Sequence, residues 1–178
     1  MMERSAGVPG PQAMETKVAE ARPTFEDFFG TEHARLFGAL CFVTGDRDEA
    51  EEIMQDAFLK VWERWPRVDA MDDPVGYLYR SAMNLFRKRY RRAVLAIRRS
   101  VGAAPSRDDF ADADDRDTVR RVLSTLPPRQ RAALVLTEMV GFSAIEAGRA
   151  LGVQASTVRS LSHQGRESFR RAMEVDDA

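Results

Sequence analysis

One cysteine, Cys41, and two histidines, His33 and His163, stand in 178 residues. A single thiol excludes a disulfide framework, and so small a thiol and imidazole set leaves no zinc-type ligand cluster. The longest apolar run, Leu36 to Val43, is 8 residues, far short of the roughly 20 that span a bilayer. No apolar stretch of signal-peptide length opens the chain. There is no phosphate-cradling glycine loop and no serine or cysteine nucleophile beside a base. Asp46-Arg47-Asp48 opens like a calcium loop, but Glu51 stands where the turn needs glycine and Ala57 where it needs glutamate. Glu138 and Glu146 make no acid/base pair. These absences lead to the expectation of a cytoplasmic protein that is not an enzyme and uses no metal and no cofactor.

Charge is abundant, and it is segregated. Charged residues are 31% and apolar residues 44% of the chain, enough for a folded core, and the net charge is −1. Residues 24–69 hold 5 basic and 11 acidic side chains. Residues 70–100 hold 8 basic and 2 acidic, residues 101–118 hold 2 and 6, and residues 119–178 hold 9 and 6. Two basic blocks separated by an acidic one point to nucleic acid, which the overall balance conceals.

Apolar spacing predicts an all-α chain. Residues 1–23, with Gly7, Pro9, Gly10, Pro11 and Pro23, have no apolar period and are expected to be a disordered leader, with Met14 an alternative start. Thr24 is placed to cap a helix that ends at Gly45. From Asp48 to Trp65, Ala50, Ile53, Met54, Ala57, Phe58, Val61, Trp62 and Trp65 form one helical stripe, which Pro66 is expected to stop. Its opposite face is polar except for Leu59. Beside Gln55, Asp56 and Glu63, that leucine suggests a docking face for a basic partner. The alternative is a stripe whose tryptophans are simply core.

Asp73 and Pro74 predict the start of a third helix. Its packing side holds Leu78, Tyr79, Ala82, Met83, Leu85 and Phe86. Its other side holds Arg80, Arg87, Lys88, Arg89, Arg91 and Arg92. Tyr79, Phe86 and Tyr90 interleave with these cations and are candidates to stack on bases, although Phe86 fits the core better. Met71 and Val68 are candidates to line a pocket for an unstacked base. Residues 100–117 have the composition of a flexible acidic linker, whose Asp108–Asp117 charges are placed to shield a basic face.

Residues 118–173 predict four further helices, of which Ser143 to Arg171 has helix-turn-helix proportions, with the turn at Gly152. The second helix of that pair exposes Ser156, Thr157, Arg159, Ser160, His163, Gln164 and Arg166. Hydroxyl, guanidinium, imidazole and amide groups near a helix N-terminus suit phosphates and major-groove base edges. A plain helical hairpin with a polar face gives the same pattern. The predicted organisation is a leader (1–23), an N-terminal domain (24–99), a linker (100–117), a C-terminal helix-turn-helix domain (118–173) and a tail (174–178).

Three stretches, in order, carry a resemblance. The first is Gly45-Asp46-Arg47-Asp48-Glu49-Ala50-Glu51-Glu52-Ile53-Met54-Gln55-Asp56-Ala57-Phe58 through Trp62. The second is Tyr77-Leu78-Tyr79-Arg80 with Asn84-Leu85 and the basic run after it. The third is Leu126-Pro127-Pro128-Arg129-Gln130-Arg131, then Gly141-Phe142-Ser143, Leu151-Gly152-Val153 and Thr157-Val158-Arg159-Ser160. Over roughly 24–173 the chain resembles the extracytoplasmic-function sigma factors of bacterial RNA polymerase.

That resemblance implies two helical domains that bind core RNA polymerase and promoter DNA, with an anti-sigma factor as a further candidate partner. It implies core-polymerase contacts at Gln55, Asp56, Leu59 and Trp62, and −10 contacts at Arg80, Asn84, Arg87 and Arg91. The −35 element falls to Ser156, Thr157, Arg159, Ser160, His163 and Arg166. The family has an isoleucine where this chain has Ala147. Gly165 interrupts the recognition helix, at a cost of about 1 kcal/mol relative to alanine. The rival function is a stand-alone helix-turn-helix regulator, which would not need the face around Asp56–Trp62.

Overall fold

The computed structural model describes residues 23–99 and 115–176, and every regular element among them is helical. The leader through residue 22 and residues 100–114 of the acidic segment lie outside the described residues. The N-terminal region holds α1 (Phe25–Thr44), α2 (Arg47–Trp62), α3 (Trp65–Val68) and α4 (Pro74–Arg99). The C-terminal region holds α5 (Asp115–Thr125), α6 (Pro128–Leu134), a π-helical turn (Val135–Met139), α7 (Ala144–Leu151) and α8 (Ala155–Asp176). Helix α5 starts inside the segment assigned to the linker by composition, and α8 runs past the expected tail boundary.

Local chemistry sets most boundaries. Thr24 and Asp27 form a reciprocal capping box, with Asp27 N–H donating to Thr24 Oγ1 at 3.2 Å and Thr24 N–H to Asp27 Oδ2 at 3.0 Å. The Thr24 hydroxyl, which donates to Asp27 Oδ2 at 2.8 Å, and then the Thr24 N–H hold the Asp27 carboxyl below the usual carboxylate range. Gly45, at φ +79°, ends α1, and Asp46 Oδ1 then accepts from Glu49 N–H at 2.7 Å to start α2. Asp73 caps α4 by accepting from Gly76 N–H at 2.7 Å.

A boundary in the N-terminal region also differs from the expectation. The second helix ends at Trp62, and Pro66 lies in the first turn of α3. Proline is tolerated there because a first-turn N–H has no intrahelical acceptor. The break occurs at Arg64, whose φ of −122° is non-helical. It swings Trp65 back to within 5.6 Å of the Phe25 ring and 5.2 Å of the Phe28 ring. Trp62 is left 58% exposed.

The core is continuous through both regions. Leu36, Leu40 and Val43 of α1, Ile53, Ala57 and Val61 of α2, and Leu78, Ala82 and Met83 of α4 join Ala133, Leu136, Ala147 and Val158 in one buried cluster. Helix α1 packs on α2, α2 on α4, and α6 and α7 on α8; α7 also packs directly on α4.

Candidate nucleic-acid interface

Spacings of four, three and four put Arg80, Asn84, Arg87 and Arg91 on one face of α4. Arg80, Asn84 and Arg91 are exposed, whereas Arg87 is half-buried. Arg87 donates to Asn84 Oδ1, and also to the carbonyl of Leu151, at 2.6 Å, across the boundary between the regions. Burial, then the cations Arg91, Arg129 and Arg80, lower its proton affinity. Arg129, from the first turn of α6, thus joins this cluster from the other region. Nothing in local spacing signals that, because it lies 42 positions along the chain from Arg87.

The aromatic residues divide. Tyr79 is fully buried and Phe86 nearly so, which removes both from base stacking. Tyr79 falls on the side of α4 that carries Leu78, Ala82 and Met83. Burial pushes its phenol up to about 12. Tyr90 is 43% exposed and Met71 39% exposed, so both remain open to a nucleobase, whereas Val68 is buried and lines no open pocket.

On the outer face of α2, Leu59 is 52% exposed beside the exposed Trp62 and Gln55. Gln55 donates to Glu51 at 3.2 Å. Asp56 is held by Arg89 of α4 at 3.1 Å, and the same guanidinium bonds Glu52. Those two carboxylates raise the proton affinity of Arg89, the Glu52 hydrogen bond most. The acidic face of α2 and the basic helix α4 are therefore joined by a shared arginine that sequence spacing does not reveal.

In the C-terminal region, Ser143 and Glu146 form a second capping box, with Ser143 N–H donating to Glu146 Oε2 at 2.7 Å. Gly152, at φ +65°, closes α7 in the left-handed conformation that favours glycine. Ala147, where the family has isoleucine, is fully buried. Val158 is fully buried between the helices, and Val153 and Leu161 pack on the same cluster. Ser156, Thr157, Arg159, Ser160, His163 and Arg166 are all exposed on α8. Arg166 pairs with Glu138 of the π-helical turn at 3.0 Å. Gly165 is no random interruption: a Cβ there would stand 3.2 Å from the Gln130 carbonyl oxygen, so glycine allows α8 to approach α6 closely.

Among the described residues no group of three histidine, cysteine, aspartate or glutamate side chains is placed to hold a metal. No described helix is long and apolar enough to cross a membrane. What the surfaces offer is noncovalent: cations and amides for phosphates and bases, and an apolar patch within an acidic rim.

Comparison with known proteins agrees with this division. Residues 28–95 match the Sigma-70 region 2 family, and residues 116–169 match Sigma-70, region 4. The ECF RNA polymerase sigma factor SigM of Mycobacterium tuberculosis is 30% identical over 158 residues, covering 88% of this chain and 80% of that protein. SigE of Mycolicibacterium smegmatis is 29% identical over 159 residues, and the match spans 62% of its length. In fold, the chain resembles the sigma factor RpoE of Bartonella quintana, solved with the anti-sigma factor NepR. That match has a TM-score of 0.71 at 21% identity and covers 85% of this chain and 98% of that one. CnrH, solved with the cytosolic domain of CnrY, matches with a TM-score of 0.60 at 22% identity, covering 85% and 88%. With two Sigma-70 regions in order and a 30% identical relative matched over most of both chains, the chain belongs to the extracytoplasmic-function sigma factors of bacterial RNA polymerase.

Proposed function

We infer that this chain directs core RNA polymerase to promoters, docking through α2, opening the −10 element with α4 and holding the −35 element with α8. The observation that carries this is the face of α2. Leu59 and Trp62 stand more than half exposed beside Asp56 and Gln55, on the chain that also presents two separate basic helices. Surface leucine and tryptophan together mark a partner site. A stand-alone helix-turn-helix regulator has no use for that face.

The assigned roles follow from side-chain chemistry. Gln55, Asp56, Leu59 and Trp62 meet core polymerase, the apolar pair supplying buried area and the acid its charge complementarity. Arg80, Asn84, Arg87 and Arg91 bind the −10 strand, and the exposed Tyr90 and Met71 offer surfaces to bases leaving the stack. Ser156, Thr157, Arg159, Ser160, His163 and Arg166 occupy the −35 major groove and its phosphates. No bond is made or broken. Unstacking a base costs a few kcal/mol, which contacts to the exposed strand offset. Action on polymerase and promoter places the protein in the cytoplasm. An anti-sigma factor, the partner named for the RpoE relative, would compete for these surfaces.

Run-off transcription with purified core polymerase and a promoter library tests this. The expected result is transcripts that require both the chain and a −10/−35 pair selected from the library. DNA binding without transcripts would favour the stand-alone regulator.

A further inference from the structure

Between α5, α8 and the π-helical turn that follows α6, the C-terminal region encloses a cavity of about 460 Å³. Each wall has a cause in the sequence. Helix α8 contributes Arg166, Phe169, Arg170 and Met173, whose spacings of three, one and three put them on one face. Gly165, one position before that face begins, lets α8 press on α6 beside Gln130 and Leu134. Opposite, Val140 N–H donates to the Val135 carbonyl at 3.0 Å, five residues back, and this wide turn lines the cavity with Val135, Glu138 and Met139. Such turns are rare and recur at functional sites. Val119 and Leu123 of α5 close the third side.

The interior is apolar and the rim is charged. Leu123, Leu134 and Val135 are buried, and Val119 and Phe169 are half-buried. Met139 is exposed and Met173 half-buried, and unbranched thioethers adapt their shape to an inserted chain. The charged residues of the lining are two cations, Arg166 and Arg170, and one acid, Glu138. Arg166 bonds Glu138 at 3.0 Å, and Arg170 bonds Glu167 at 2.9 Å. All four side chains are open to water, where ion pairs hold weakly. An incoming carboxylate can therefore replace Glu138 at Arg166, with Arg170 one turn further along the same rim. A largely apolar cavity of about 300–1,000 Å³ with a few convergent polar groups is the usual form of a small-molecule site.

We propose that this cavity binds a small amphipathic anion, an aliphatic tail ending in a carboxylate, and that the bound ligand holds Arg166 away from −35 DNA. The second half rests on the function inferred above. The tail lies among Val119, Val135 and Phe169, and the head pairs with Arg166 and Arg170. A guanidinium committed to that carboxylate is not available to a promoter phosphate. Ligand and DNA thus oppose each other, and each weakens the other by the same factor.

The test uses the full chain with decanoate, 1-decanol and decylamine as probes. Calorimetry measures binding, and methyl spectra of labelled methionine locate it, with Met139→Leu and Met173→Leu assigning the two signals. Decanoate is expected to bind most tightly and to shift both methyls. Arg170→Gln should weaken decanoate about fivefold or more and leave decanol unchanged, whereas Glu138→Gln, which removes the competing acid, should tighten decanoate. Val119→Phe should fill the cavity and abolish binding of both at full helicity. If that variant fails to fold, the opposite signs of the two charge variants still decide. No decanoate binding, binding that leaves both methyls unmoved, or equal affinity for decylamine would overturn the proposal. Anionic phospholipid vesicles form a second arm: co-sedimentation with them, without binding of free decanoate, would assign the cavity to a membrane lipid and overturn it as well.

The coupling is read by anisotropy with a −35 duplex. Saturating decanoate should weaken wild-type binding severalfold, while Arg166→Ala binds more weakly at the outset and no longer responds. A wild-type affinity that decanoate leaves unchanged would overturn the coupling. Run-off transcription by the wild type without ligand tests the promoter assignment separately: failure there removes that assignment, while calorimetry and methyl shifts still report the cavity.

Discussion

On α8 the six side chains assigned to the −35 element all face solvent, whereas on α4 one of the four assigned to the −10 element is drawn into the seam between the regions. The same contrast extends to the polymerase face, where Asp56 is already engaged by Arg89. The C-terminal region thus turns all its assigned side chains to solvent, only Arg166 among them being ion-paired, to Glu138. In the N-terminal region Arg87 and Asp56 are engaged internally, and partners must replace those bonds. The difference follows from length and position. Helix α8 turns its polar face away from its own core, while α4 packs on both α2 and α7 and meets the Glu52 and Asp56 carboxylates on one and the Leu151 carbonyl on the other.

The sharpest way to break this comparison is at α2. Asp56→Arg places a second guanidinium against Arg89 and removes the acid from the docking face. Association with core polymerase is expected to fall tenfold or more, about 1.4 kcal/mol or above, with helicity retained. Co-purification with core together with circular dichroism measures both. Core binding equal to wild type would show that Asp56 belongs to the Arg89 pair alone.

At α8 the expected effects are smaller and sort by contact type. Arg159→Ala should relax −35 discrimination by about 1–3 kcal/mol, the worth of a good base contact. Arg166→Ala should weaken all sequences alike and flatten the salt dependence, as loss of a phosphate contact does. It also frees Glu138, a solvent-exposed pair worth about 1 kcal/mol or less. Binding isotherms on matched promoter variants at several salt concentrations separate the two. Retention of full −35 preference by Arg159→Ala would displace the base contact to another residue.

Gly165→Ala sharpens the comparison inside the C-terminal region. Helix propensity alone predicts a gain of about 1 kcal/mol. The added methyl would meet a backbone oxygen of α6 at 3.2 Å, an atom with little room to yield. The expected outcome is a lower urea midpoint, with a net loss on the order of 1 kcal/mol. A higher midpoint would mean that α6 relaxes freely.

The smallest effect belongs to Tyr79→Phe, which removes an unpaired buried hydroxyl and keeps the ring against Phe142. Near neutral pH, stability should be unchanged or slightly higher. Because burial raises the folded-state value of Tyr79 to about 12 from the usual 10, its contribution is fully present below pH 10 and lost as pH rises toward 12. Urea titrations at pH 8 and pH 11 should therefore show the phenylalanine variant gaining relative to wild type in the alkaline sample. Equal losses in both proteins would place the alkaline sensitivity elsewhere.

Much of the candidate site was legible because helical period assigns faces. The exposed Leu59, the polar face of α8 and the buried Phe86 all follow from spacing. Period does not say which residues a bend redirects. Trp62 and Trp65 belong to one stripe in the sequence, yet the turn at Arg64 sends one to solvent and the other onto Phe25 and Phe28. Tyr79 and Tyr90 both sit among arginines along the chain. Spacing puts Tyr79 on the packing side with Leu78 and Ala82, and the contact with Phe142 then buries its ring while Tyr90 stays exposed.

The amino-acid sequence by itself determined the all-helical class, the capped starts at Thr24, Asp73 and Ser143, the stops at Gly45 and Gly152, and the family. Each of these depends on residues within one or two turns of each other, or on motifs in order. Tertiary structure alone decided that Arg89 bridges Glu52 and Asp56, that Arg87 is held by Leu151, and that Gly165 is a point of close approach rather than a defect. Those contacts join residues 33 to 64 positions apart, where hydrogen bonds, charge and steric fit depend on how helices cross and not on local spacing.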